Sequence, residues 1–218
     1  MDVTTASITF ILTTIGFFMA YYRFILLAKI LDPTKKVSFF KKLILYVVYF
    51  FALISIQILN GVRTFETICV GRGMEFIFQI LAGVMKANVY VFMPLILLLI
   101  TVKQMSYPFA YTFGNFFCGS NWGELQDNLV LNKGYERFFA NISSCLDITE
   151  DTPRKFFEEY LEKQEGGEKN KNPIYITLCK IVMSKKVVAH CLWFILAGIY
   201  AIMKSKFYTL EIECPGIS

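Results

Sequence analysis

The sequence predicts an all-α polytopic membrane protein, with about four transmembrane helices and a small, mostly helical extramembrane domain between the third and fourth spans. Composition is the first reason: the 218-residue chain is 56% hydrophobic and only 18% charged, too apolar for an ordinary soluble domain of this size. The second is that four weakly charged windows approach the roughly 20 apolar residues that a helix needs to cross a bilayer core. The third is that residues 103–186, with 11 basic and 11 acidic side chains, form the one long stretch polar enough to fold in water.

The first two windows, 3–22 and 43–62, are each 20 residues without a charge, bounded by Asp2 and Arg23 and by Lys42 and Arg63. The third lies between Glu75 and Lys103 and is interrupted by Lys86, which leaves an uncharged run of 16 residues at 87–102. The fourth, 187–203, has 17 residues between Lys186 and Lys204. Lysines at the edges of these shorter runs can snorkel to the headgroups. The N-terminus offers only Asp2 ahead of its apolar run, so the first window reads as a retained anchor and not as a cleaved signal or an Arg-rich presequence.

Basic residues near short loops resist translocation, and the first loop carries Arg23, Lys29, Lys35, Lys36, Lys41 and Lys42 against the single acid Asp32. That loop is expected on the cytosolic side. Four spans then put the N-terminus, the second loop and the C-terminal tail on the opposite side and return the third loop to the cytosol. The loop accounts for most of the formal charge of +5. Without a base-stacking motif, the charge points to anionic lipid or an acidic partner face, and no nucleic acid is expected.

Four regions follow: a three-span region at 1–106, an extramembrane insert at 107–172, a long final helix at 173–203 and an extended tail at 204–218. In the insert, Tyr135, Phe138, Phe139, Ile142, Cys145 and Leu146 share one helical face. A second helix starts with Thr152 as cap and Pro153 in its first turn, groups Phe156, Phe157, Tyr160 and Leu161, and stops at Gly166 and Gly167. Apolar residues from Ile174 to Val182 predict that the last helix begins before the bilayer. Two stretches alternate with period two and read as short strands, Tyr107 to Phe113 and Tyr208 to Cys214, the first also fitting an interfacial aromatic belt. In the tail, Tyr208, Leu210 and Ile212 form an apolar row suited to adding as a strand to a neighbouring subunit.

Lys86 is the one formal charge inside a window, so it is either a contact within the bundle or a snorkelling side chain. Pro94 removes a backbone donor in mid-span and bends the helix. Gln57 and Asn60 supply hydrogen bonds between helices, and Gly16/Ala20, Gly83/Ala87 and Ala197/Ala201 have the spacing that lets helices approach closely. Six cysteines, at 69, 118, 145, 179, 191 and 214, include no pair two to four residues apart, so zinc and redox motifs are missing and reduced thiols are expected. His190 is the sole histidine, which excludes a bis-histidine haem within the chain. Asp147, Glu150 and Asp151 lack the EF-hand pattern, Gly71-Arg72-Gly73 is a turn, and Asn141-Ile142-Ser143 falls in the cytosolic loop, where it stays unglycosylated.

No catalytic, cofactor-binding or metal-binding set emerges, and the chain is not expected to be an enzyme. The reading is a non-catalytic structural or accessory subunit that anchors a large assembly to a membrane, with the bilayer and other protein subunits as partners. Its setting is the internal membrane of a large virion, as a minor capsid protein, or an organelle membrane. The alternatives are a small ion or solute channel or transporter lined by Lys86, Pro94, Gln57 and Asn60, and a membrane enzyme using Cys118, Cys145 or Cys179 on lipid or thiol substrates.

Overall fold

A computed structural model describes residues 3–26, 39–69, 74, 76–102, 105, 108–110, 112–113 and 173–212. Helix α1 is Val3–Tyr21 and continues as a π-helical segment, Tyr22–Leu26. Helix α2 is Phe39–Ile68. Helix α3, Ile77–Ala87, passes through a second π segment, Asn88–Phe92, into α4, Met93–Thr101. Helix α5 is Pro173–Leu210. Among the described residues four helices are long and apolar enough to cross a membrane: Thr4–Leu26, Leu43–Ile68, Ile77–Thr101 and Ile176–Leu210. The protein is an all-α polytopic membrane protein.

The spans outrun the uncharged windows because charge marks the edge of hydrocarbon and not the end of a helix. Arg63 and Glu66 stand exposed near the end of α2, where the backbone ladder continues unchanged. The 38 residues of α5, at about 1.5 Å each, give a rod of about 57 Å, nearly twice the hydrocarbon thickness. It starts at Pro173, ahead of the bilayer window as expected, but runs on past Met203 to Leu210. The extended tail predicted from residue 204 is therefore helical up to Leu210, and the strand predicted from Tyr208 does not form there. The other predicted strand fails as well, since Phe109 and Phe113 lie in short helical turns. At Tyr208 the alternation was overridden by continuity of a long helix, which satisfies every backbone group internally, as lipid demands. The predicted helices at 135–146 and 153–165 lie outside the described residues.

The chain divides into two compact units that are not consecutive in sequence. One comprises Met1–Phe17, Leu43–Thr101 and Trp193–Ser218, the other Phe18–Lys42 and Val102–Leu192. In the first unit, the threonines of α1 return their hydroxyls to their own helix, Thr9 to the Thr5 carbonyl and Thr13 to that of Thr9, both at 2.8 Å. Buried Thr14 does the same to Phe10 and lies 3.2 Å from the Tyr49 hydroxyl of α2. Rings then tie the helices together. Phe17 packs on Tyr49 with centroids 4.5 Å apart, Tyr49 on Phe194 of α5 at 5.9 Å, and Phe194 edge-on to Phe92 at 6.0 Å. The Phe10 ring occupies the space where a side chain on Gly198 would begin, so α1 and α5 meet closely there. Trp193 donates its indole N–H to the Leu95 carbonyl at 2.9 Å, joining α5 to α4.

In the second unit, Thr177, Leu178, Ile181, Val182, Lys185 and Ala189 form a buried stripe along the first half of α5 at helical spacing. Phe18, Ile25 and Ala110 are also buried there.

Candidate functional site

Helix α2 sets Gln57, Asn60 and Thr64 three and four residues apart, which brings them to one face. That face is turned inward: Gln57 and Asn60 are 0% exposed, and Asn88 is 1% exposed. Asn88 Nδ2 donates to Gln57 Oε1 at 2.6 Å and to the Val84 carbonyl at 2.8 Å. The first bond joins the second span to the third, and the second braces the amide against its own helix. Gln57 and Asn88 thus make a hydrogen bond between two spans, whereas neither side-chain polar atom of Asn60 has a partner among the described residues.

Asn88 also opens the π segment. Its carbonyl accepts the Met93 N–H, five residues ahead, in place of the usual four. Pro94 follows at once, and in a regular helix its ring would press on the Tyr90 carbonyl. The wide turn just before the proline relieves that contact, so the helix distortion attributed to Pro94 is present and takes the form of a π segment.

Four buried amide atoms in this cluster have no hydrogen-bond partner among the described residues: Gln57 Nε2, Asn60 Nδ2, Asn60 Oδ1 and Asn88 Oδ1. They comprise two donors and two acceptors, all on neutral groups. Amides of this kind bind a polar group but neither transfer protons nor attack a substrate.

The convergence of Lys86 and Pro94 with Gln57 and Asn60 that the channel alternative requires does not occur. Lys86 and Pro94 are both exposed on the outward side of the third span. Lys86 lies two residues before Asn88, a helical rotation of about 200° that sends it to the other side of the helix. The exposed Lys86 matches the snorkelling alternative, and Asn88 is the polar residue of the third span that faces Gln57. Nothing in the sequence around Asn88 marks it as inward-facing, since its direction depends on how the third span is rotated against the second.

Beyond this cluster, toward the second loop, the helices approach at glycines. A Cβ on Gly61 would stand 2.5 Å from Ile80 Cγ2 and 3.3 Å from Thr209 Oγ1, and one on Gly83 would stand 3.2 Å from Tyr208 Cβ. Val62, Phe65, Cys69, Ile80 and Val84 make a buried core here, with Phe76 and Ile212 packed against it. Ile212 reaches it by a turn after α5, its N–H donating to the Thr209 carbonyl at 3.3 Å. The tail residues expected to bind a partner are thus spoken for in part: Tyr208 lies at Gly83, Ile212 packs on the chain's own core, and Leu210 is exposed.

Cys69 is disulfide-bonded, which corrects the expectation of reduced thiols throughout. A filter for pairs two to four residues apart has no view of cysteines joined across distant parts of the chain. Cys179 and Cys191 keep their thiols, and His190 is half-buried on α5. Among the described residues no three His, Cys, Asp or Glu side chains gather as metal ligands. Comparison with protein-family models, with curated proteins and with solved structures finds no match.

Proposed function

We propose that this chain is a non-catalytic integral membrane subunit that anchors an extramembrane component of a larger assembly. The observation that carries the reading is α5, a helix of 38 residues, more than a bilayer crossing needs, with a buried stripe along its first half. The rest of the intramembrane chemistry supports a structural role: Gln57 and Asn88 bond to each other, and Lys86 faces outward. The same reading admits the internal membrane of a virion, with the chain as a minor capsid protein, or an organelle membrane, with the chain as an accessory subunit.

Solubilisation in native lipid discs followed by mass measurement tests the proposal. The expected result is a particle of defined stoichiometry containing this 25.1 kDa chain and other proteins, whose identities separate the two settings. A lone chain would count against it.

A second reading, a solute or ion pathway, draws on the four unpartnered amide atoms of Gln57, Asn60 and Asn88. Reconstituted liposomes decide it: flux abolished by Asn60→Leu supports transport, and liposomes that stay tight with the purified chain reject it.

A further inference from the structure

We propose that Lys86 and Lys204 form a two-cation clamp for the phosphate of an anionic phospholipid, at the lipid-facing lip of the groove between α3 and α5. The register of the two helices comes from three contacts. Gly83 meets Tyr208, whose Cβ stands 3.2 Å from where a Cβ on the glycine would be, Phe92 meets Phe194 at 6.0 Å between centroids, and the Leu95 carbonyl accepts the Trp193 N–H. The helices run antiparallel, so Lys86, three residues after Gly83, and Lys204, four before Tyr208, lie at one height, about 4.5 and 6 Å from that contact toward the bilayer middle. Around its own axis each is rotated by only about 40–60° from the contact line. The other flank of that line is buried, with Val84 and Ala87 on α3 and Ser205 and Thr209 on α5, whereas Lys86 is exposed and Lys204 is partly exposed. Both lysines therefore border the groove on its outer side.

The direction of the side chains identifies the occupant. Helical side chains lean toward the N-terminus of their helix, which carries Lys86 toward the second-loop end and would carry Lys204 toward the bilayer middle. Lys204 is turned back: its Nζ lies 5.4 Å from the ring centroid of Phe207, one turn nearer the end of α5. Both ammonium groups are thus aimed at headgroup height, while Val89, Tyr200 and Met203, exposed on the bilayer side of the lysines, offer apolar contact to acyl chains. The carboxylates of this end lie farther out. Glu66 is five residues beyond Gly61, which itself abuts Thr209, and Glu211 follows the end of α5. Cations within and carboxylates beyond is the order that a layer of lipid phosphates favours, whereas an acidic protein face would approach from the helix ends and meet the carboxylates first.

The purified full chain in detergent is given equimolar phosphatidylglycerol and phosphatidylcholine, and the retained lipid is counted by native mass spectrometry. The parent is expected to prefer phosphatidylglycerol, and the preference is expected to fall about fivefold in each of Lys86→Gln and Lys204→Gln. Lys86→Arg, which keeps the charge at the lip, is expected to retain it. Lys206→Gln is the control, since Lys206 lies at nearly the same height but about 200° around α5 from Lys204, and it is expected to leave the preference unchanged. A parent without preference would overturn the clamp, as would a fall in Lys206→Gln equal to that in Lys204→Gln, which would show attraction to surface charge in general. Retention of inorganic phosphate in place of lipid, when both are supplied, would overturn the assignment to a headgroup.

Discussion

Asn88 Nδ2 lies 2.6 Å from Gln57 Oε1, with both side chains sealed inside the packing of the second and third spans. A polar bridge in this position does two things. It orients the helices about their axes, and it penalises any rotation that would turn an amide toward lipid. Bonds of this type between membrane helices contribute about 0.6 kcal/mol on average and up to about 1.7.

A double-mutant cycle is the direct check on that bridge. Gln57→Leu and Asn88→Leu are each expected to lower stability in a denaturant titration, and their coupling energy is expected to be about 1 kcal/mol. Strictly additive losses would mean that the two amides do not support each other.

The contact of Phe10 with Gly198 gives a steric prediction. Gly198→Ala places a methyl group in the Phe10 ring and is expected to cost about 1–3 kcal/mol by overpacking. Phe10→Ala alone leaves a cavity and also destabilises. The double variant is expected to lose clearly less than the sum, as read from thermal unfolding in detergent. A Gly198→Ala protein as stable as the parent would show that α1 and α5 are not this close.

Topology is testable without touching a cysteine. An epitope inserted after Lys36 and another after Met74, which is exposed, should be reached by antibody from opposite faces of sealed vesicles. Recognition of both from one face would break the four-span order.

The tail separates a packing role from a surface role. Ile212→Ala removes apolar contacts with the core around Phe65 and Ile80, and is expected to lower stability by about 1 kcal/mol. Leu210, at 51% exposure, is expected to tolerate alanine within about 0.5 kcal/mol. Equal or reversed losses in a denaturant titration would contradict the placement of Ile212.

The spans were legible because lipid leaves a strong imprint: long uncharged runs can be found without knowing which face is buried. Gln57 and Asn60 stood out for the same reason, as polar residues in such a run. Asn88, an equally neutral amide in the run 87–102, stands beside the formal charge of Lys86, which is the stronger polar signal in that span. The inward or outward direction of Lys86 depends on how α3 is rotated against α2, and that is decided by contacts between segments distant in sequence. The strand expected at Tyr208 failed because period-two alternation over seven residues competes with a helix already 35 residues long at that point, counting 173 to 207, whose next turn costs little to add. The bond at Cys69 was out of reach because a disulfide joins positions that only the fold brings together.

We propose that the chain serves as a membrane anchor within an assembly. Extraction from the native membrane into lipid discs, with particle mass measured before any subunit is separated, tests it most directly. The expected result is a particle well above 25.1 kDa in which this chain and at least one different protein stand in fixed ratio. A monodisperse particle holding this chain alone, and conducting a solute or ion once reconstituted, would contradict it.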